Sequence, residues 1–177
     1  MAHLKYTTWQ TQRGLTLVEL MVTIAVIAIL ATTAVSTMSN MRAKQQVIAA
    51  AEEILSKAQR AKSLARKKSE EVWLESLPDS LAVGDYGVTE INVTDSASNL
   101  IESIDLNSKH KNVEVKTNVT GRIIKFNHVR GTTGNAGSLF VTNDSSENNY
   151  VARIVVSSLG RLRICSESGL SGRYDDC

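Results

Sequence analysis

Proline occurs once in 177 residues, cysteine twice and histidine three times, and aromatic side chains make up only 5% of the chain. A lone proline and ten scattered glycines exclude a collagenous or low-complexity chain, and a 42% hydrophobic content excludes wholesale disorder. Two cysteines and three histidines, with no CxxC or HExxH spacing, exclude a zinc ribbon, an iron-sulfur centre and a knottin-like scaffold. No metal and no cofactor are therefore expected. Nor does any nucleophile, base and orienting group assemble: His3, His110 and His128 stand without a motif around them, so no catalytic residue is expected and the chain does not read as an enzyme.

Net charge is a modest +2, and it hides an uneven distribution. Residues 42 to 68 hold eight Lys or Arg against Glu52 and Glu53, whereas residues 69 to 120 hold ten acids against Lys109, Lys111 and Lys116. Bulk charge therefore points to no polyanionic partner; only local patches can.

What the sequence does have is one long apolar run. Residues 15 to 38 read LTLVELMVTIAVIAILATTAVSTM, with Glu19 their only charge. At 1.5 Å per residue such a helix is long enough to cross a hydrocarbon core of about 30 Å. A secretory signal has a shorter core, of about 7 to 15 residues, and a cleavage site after it. Lys5 and Arg13 ahead of the run favour a cytoplasmic start. A carboxylate within an apolar span costs roughly 2.5 to 3.5 kcal/mol at the helix centre and less near an interface, so Glu19 asks for a partner. Cutting the chain after Gly14 would give Leu15 a free α-amine within about a helical turn of Glu19, and so create a counter-ion.

Arg13-Gly14-Leu15-Thr16-Leu17-Val18-Glu19-Leu20 resembles the class III signal of type IV pilins and type II secretion pseudopilins. The resemblance implies that a prepilin peptidase cuts between Gly14 and Leu15 and N-methylates Leu15, and that Glu19 serves assembly. The family usually has Phe at the position of Leu15, a conservative departure. A plain signal anchor is the alternative reading.

Helical periodicity continues beyond the apolar run. Ile48, Ala51, Leu55, Ala58, Ala61 or Lys62, and Ala65 recur at steps of three and four, which predicts one helix over about 15–68 whose second half can lie across a sheet. Its many cations read most simply as a solvated face near anionic lipid. Short β-like runs follow at Val72 to Leu77, Val88 to Val93, Val113 to Thr117, Arg122 to Asn127, Ser138 to Thr142, Tyr150 to Ser157 and Arg161 to Cys165. Residues 94 to 112 read as a loop or insertion, and residues 131 to 137 as a surface turn. The latter contains GxxGxxG but lacks the lysine and context of a phosphate loop.

The expected fold is α+β: a leader at 1–14, a long helix at 15–68 with a transmembrane part at about 15–38, and an antiparallel β domain at 69–177. With Ile123 to Phe126 followed by Arg130-Gly131-Thr132, and with Ile154 to Arg163, this arrangement is similar to the GspH/FimT branch of minor pilins and H-type pseudopilins. The resemblance implies a single pass through a bacterial inner membrane with the β domain in the periplasm. It implies other pilins or pseudopilins as filament partners. In that compartment Cys165 and Cys177, separated by eleven residues that include Gly169 and Gly172, are expected to pair, against two free thiols or an intermolecular bond.

Gly160-Arg161-Leu162-Arg163 completes the reading. In a strand, Arg161 and Arg163 share a face while Leu162 and Ile164 turn to the core. Arg153 and Arg173 are candidates to lie nearby, and no acid occurs between Glu147 and Glu167. Parallel arginines suit adjacent phosphates. A GRxR pattern resembles that of FimT-type minor pilins that bind DNA in natural transformation, which implies a role for Gly160, Arg161 and Arg163 on double-stranded DNA. The competing expectation is a subunit that primes or caps a pilus or secretion pseudopilus, with these arginines pairing acids of the next subunit.

Overall fold

The computed structural model describes residues 14–78, 88–110, 112–143 and 149–177, without the side chains of residues 33–37 and 120. His3, Lys5 and Arg13 lie outside the described residues. Helix α1 is Leu17–Lys68, and the chain divides into two compact units at Ser39 and Asn40.

In the first unit Thr16 caps the start of α1, its Oγ1 accepting from the Glu19 N–H at 3.2 Å. The hydroxyls of Thr23 and Thr32 donate back to the carbonyls of Leu20 and Ile29, each at 2.8 Å, so these polar side chains are satisfied within their own helix. Leu17, Val18, Leu20, Ile24, Ile27 and Leu30 are all exposed. Among the described residues no helix is long and apolar enough to cross a membrane.

In the second unit α1 buries a stripe of Val47, Ala50, Ala51, Ile54, Ala58, Ala61 and Ala65, each at most 1% exposed. Ile48 and Leu55, expected at the centre of the stripe, are only half-buried. Periodicity fixes a helical face to within one neighbour, and the protein turns its alanines inward, where a small side chain lets the backbone approach a sheet closely.

Two four-stranded antiparallel sheets complete the core. The first runs β3-β2-β1-β5, from β1 (Val72–Pro78), β2 (Val88–Asp95), β3 (Leu100–Asp105) and β5 (Ile123–Phe126). The second runs β4-β6-β7-β8, from β4 (Val113–Thr117), β6 (Gly137–Asn143), β7 (Val151–Val156) and β8 (Leu162–Ser168). Alternation decides which side faces in: Leu74, Ile91, Val93, Ile124, Leu139, Val141, Ile154 and Val156 join the helical stripe in one cluster. The lone proline closes β1 at a register shift, where a missing N–H costs the ladder least.

The stretch 94 to 112 corrects the expectation of a loop. It contains β3 and a one-turn helix α2 (Leu106–Lys109), capped by Asp105, whose carboxylate accepts from the Ser108 N–H at 3.1 Å. Its acidic, Ser/Asn-rich composition hid Ile104 and Leu106, two buried residues that tie the segment to the core. Tertiary burial overrides a weak local preference here.

Candidate functional site

The GRxR stretch straddles the β7–β8 hairpin. Its turn is closed by backbone bonds from the Gly160 N–H to the Ser157 carbonyl at 2.8 Å and from the Ser157 N–H to the Arg161 carbonyl at 3.0 Å. Gly160 has φ +75°, and a Cβ there would overlap the carbonyl oxygen of Gly131. Gly160 thus acts through the backbone: it lets the turn close while the loop after β5 lies directly against it. The Lys62 Nζ donates to the Gly160 carbonyl at 2.7 Å, pinning the turn to α1.

Beyond the turn, Val156 pairs with Leu162 and Val155 with Arg163, as alternation requires. Leu162 and Ile164 pack against the core, while Arg161 and Arg163 are exposed. Among the described residues neither guanidinium has a hydrogen-bond or ion-pair partner.

Arg153, which pairs with Cys165 on the sheet face that carries Arg163, and Arg173 differ from them in having partners. Arg153 donates through Nε to Ser138 Oγ at 3.1 Å, lies over the Phe140 ring and faces Glu167 at 3.6 Å. Counting acids between Glu147 and Glu167 missed this partner because the hairpin folds Glu167 back alongside β7. Arg173 reaches the Glu52 carboxylate of α1 at 2.9 Å, and the Tyr174 hydroxyl donates to the same oxygen at 3.0 Å. Hydrogen bonds from Arg173 and Tyr174 hold the Glu52 carboxyl below the usual range. Both arginines are engaged within the fold, whereas Arg161 and Arg163 are not.

Several other cations of the domain are similarly occupied. Lys57 and Arg60 face Glu102, whose pKa is lowered mainly by the Lys57 hydrogen bond against an opposing effect of burial. Burial pushes the Glu53 carboxyl up, yet hydrogen bonds from Lys109 and His110 outweigh it and leave the pKa lowered. His110 is thereby a structural histidine, with Nε2 2.9 Å from Glu53.

Cys165 and Cys177 form a disulfide with Cα atoms 5.1 Å apart. The enclosed tail is better anchored than its composition suggests: Leu170 is fully buried, and Tyr174 packs against the core.

Residues 50–160 match the family model described as type II transport protein GspH. The chain belongs to the GspH family. Residues 9–35 match the prokaryotic N-terminal methylation motif, which spans Gly14, Leu15 and Glu19. The backbone is similar to that of the type IV minor pilin FimU of Pseudomonas aeruginosa in two crystal forms. One gives a TM-score of 0.52 at 17% identity over 68% of this chain and 89% of that one. The other gives 0.48 at 18% identity over 66% and 90%. The first is a likeness of fold, and it agrees with the α+β arrangement of this GspH-family chain. No curated protein matches.

Sequence reasoning missed Lys62 as a part of this site. Lys62 is 98 positions from Gly160, and nothing in a run of helical cations marks the one that will meet a distant hairpin.

Proposed function

We propose that this GspH-family protein is a minor type IV pilin, made with a leader of residues 1–14, held in the bacterial inner membrane by its apolar run and assembled into a pilus. In this reading it also captures double-stranded DNA through Arg161 and Arg163 for uptake in natural transformation. What carries the DNA part is the exposure of these two arginines, two residues apart and without partners among the described residues, in a domain where Arg153, Arg173, Lys57 and Lys109 all have partners. Guanidiniums held so can reach phosphates, which position a duplex without reading its sequence.

The maturation part rests on the register of Gly14, Leu15 and Glu19 and on the methylation motif over residues 9–35. Cleavage puts a methylated cation on Leu15 near the Glu19 carboxylate, which then has a partner inside an apolar assembly. Intact-mass measurement of the membrane-extracted protein is expected to give a chain starting at Leu15 with one added methyl. A retained leader in a strain with active prepilin peptidase overturns this part.

For the DNA part, full-length protein in nonionic detergent is expected to bind duplex DNA weakly and with little sequence preference. With about two to four phosphates neutralised, log affinity should fall with log salt at a slope of roughly −2 to −4. Arg161→Gln with Arg163→Gln should remove most of the binding and leave the thermal midpoint nearly unchanged, because exposed charges contribute little to stability. The family description, a type II transport protein, favours a second reading, an H-type pseudopilin or scaffold subunit without DNA contact. Absence of binding by the parent at low salt decides for it.

A further inference from the structure

The loop between β5 and β6 brings a third element to the arginine hairpin. The Gly131 N–H bonds back to the Asn127 carbonyl at 2.9 Å, closing a tight turn that presents Arg130 at its exposed tip. Downstream, Thr133 docks on the hairpin through two bonds: its N–H donates to the Ser158 carbonyl at 3.0 Å, and its Oγ1 to the Ser157 carbonyl at 2.7 Å. Gly131 also lies close against α1. It has φ +62°, and a Cβ placed there would meet the Arg66 guanidinium and the end of the Lys62 side chain.

Three elements distant in sequence therefore converge: the last turns of α1 with Lys62 and Arg66, the loop with Arg130, and the hairpin with Arg161 and Arg163. Lys62 spends its hydrogen bond on a neutral carbonyl, so its charge is not cancelled. Arg66, Arg130, Arg161 and Arg163 are exposed, and none of the five cations has an ion-pair partner among the described residues. Glu70, beyond the end of α1, does not pair with Arg66. Elsewhere Glu52, Glu53, Glu102, Glu114 and Glu167 each face a cation. What sets this rim apart is that its five uncancelled cations come from three separate elements held together by the Lys62, Thr133 and Gly131 contacts.

We infer that Arg66 and Arg130 extend the Arg161–Arg163 pair into one continuous cationic rim that tracks the phosphate backbone of duplex DNA, with Lys62 and the Gly131–Gly160 contact as the positioning elements. The inference rests on the DNA reading proposed above. The spacings suit the ligand: residues two apart in a strand are about 6.6 Å apart, and side chains four apart on a helix have Cβ atoms about 5–6 Å apart. Duplex DNA offers one phosphate per about 3.4 Å along each strand, so such a row meets roughly every second phosphate. A rim made of three elements needs no flexible arm, because the bonds at Gly160, Ser157 and Ser158 hold its parts in register before DNA arrives.

The test uses full-length protein in nonionic detergent, titrated with a fluorescent 20-base-pair duplex at stepped salt. Arg66→Gln with Arg130→Gln is expected to weaken binding about tenfold near 0.1 M salt and to make the salt slope shallower by about 2. The corresponding pair of lysine substitutions should restore both, since phosphate contacts need charge rather than a particular fork. Arg130→Gln alone, at an exposed tip, should make the slope shallower by about 1 and serves if the pair disturbs folding. Unchanged affinity and slope in folded Arg66→Gln/Arg130→Gln protein, with binding still lost in Arg161→Gln/Arg163→Gln, overturns the extended rim and leaves the two-arginine reading standing. A parent that binds no DNA, or that binds anionic lipid vesicles instead, overturns both.

Discussion

Opening the Cys165–Cys177 bridge, by reduction or by replacing both residues with serine, is expected to lower folding stability by about 3 kcal/mol, and the thermal midpoint by about 6–12 °C. The bridge closes a loop with a sequence separation of 12. Most of the effect arises in the unfolded chain, which regains freedom that the cross-link removes. The native tail keeps contacts of its own: Leu170 is buried, Arg173 and Tyr174 hold Glu52, and the tail pairs with Ser166 through the Ser166 N–H to the Asp175 carbonyl at 2.8 Å and the Cys177 N–H to the Ser166 carbonyl at 3.1 Å. Calorimetry of the full chain with and without reductant measures the shift. Hydrogen exchange at the Ser166 and Cys177 amides separates loss of the tail from destabilisation of the whole domain. A midpoint that moves by less than about 2 °C after verified reduction contradicts the expectation.

Gly160→Val is expected to cost about 3 kcal/mol or more, through two effects that add. A non-glycine residue in the left-handed region costs roughly 1–2 kcal/mol, and valine is poorly suited to it because its side chain branches at Cβ. The new Cβ would also overlap the Gly131 carbonyl oxygen, a backbone atom that cannot rotate aside, so the loop carrying Arg130 must be pushed off the hairpin. The Lys62 bond to the Gly160 carbonyl is strained in consequence. Leu159→Ala is the control: Leu159 adjoins Gly160 but is 79% exposed, and its truncation should stay within about 0.5 kcal/mol. Thermal unfolding of the two variants side by side reads the difference, and equal midpoints would show that the Gly131–Gly160 approach is dispensable. DNA binding by any folded fraction of Gly160→Val also bears on the rim, since the substitution leaves every cation in place and moves only their register.

Composition and periodicity gave the elements of this protein because they depend on short-range physics. A 3.6-residue repeat of small apolar side chains makes α1, alternation makes the strands, and Cys165 and Cys177 were close enough in sequence for their pairing to be legible. Gly14, Leu15 and Glu19 were legible as well, since the motif over residues 9–35 is a matter of register along one chain. In the second half of α1, Ala51, Ala58, Ala61 and Ala65 were read correctly and Ile48 and Leu55 one position off, because a helical wheel does not know how near its partner lies, and β3 with α2 was missed because two buried residues in a polar segment declare themselves only when a core exists around them.

The arginines divide along the same line. Arg161 and Arg163 are both exposed as alternation predicted, although the strand begins one residue later than expected, at Leu162. Arg153 and Arg173 are partnered by Glu167 and Glu52, and Lys62 meets the turn from 98 residues away. The sequence by itself determined which elements form and where the methylation motif and the charges stand along the chain. Only the tertiary structure decided which of those charges are cancelled, because cancellation depends on a few ångströms between groups that the fold brings together from separate parts of the chain, and electrostatic interaction falls off too quickly with distance and solvent exposure for position in the sequence to predict it.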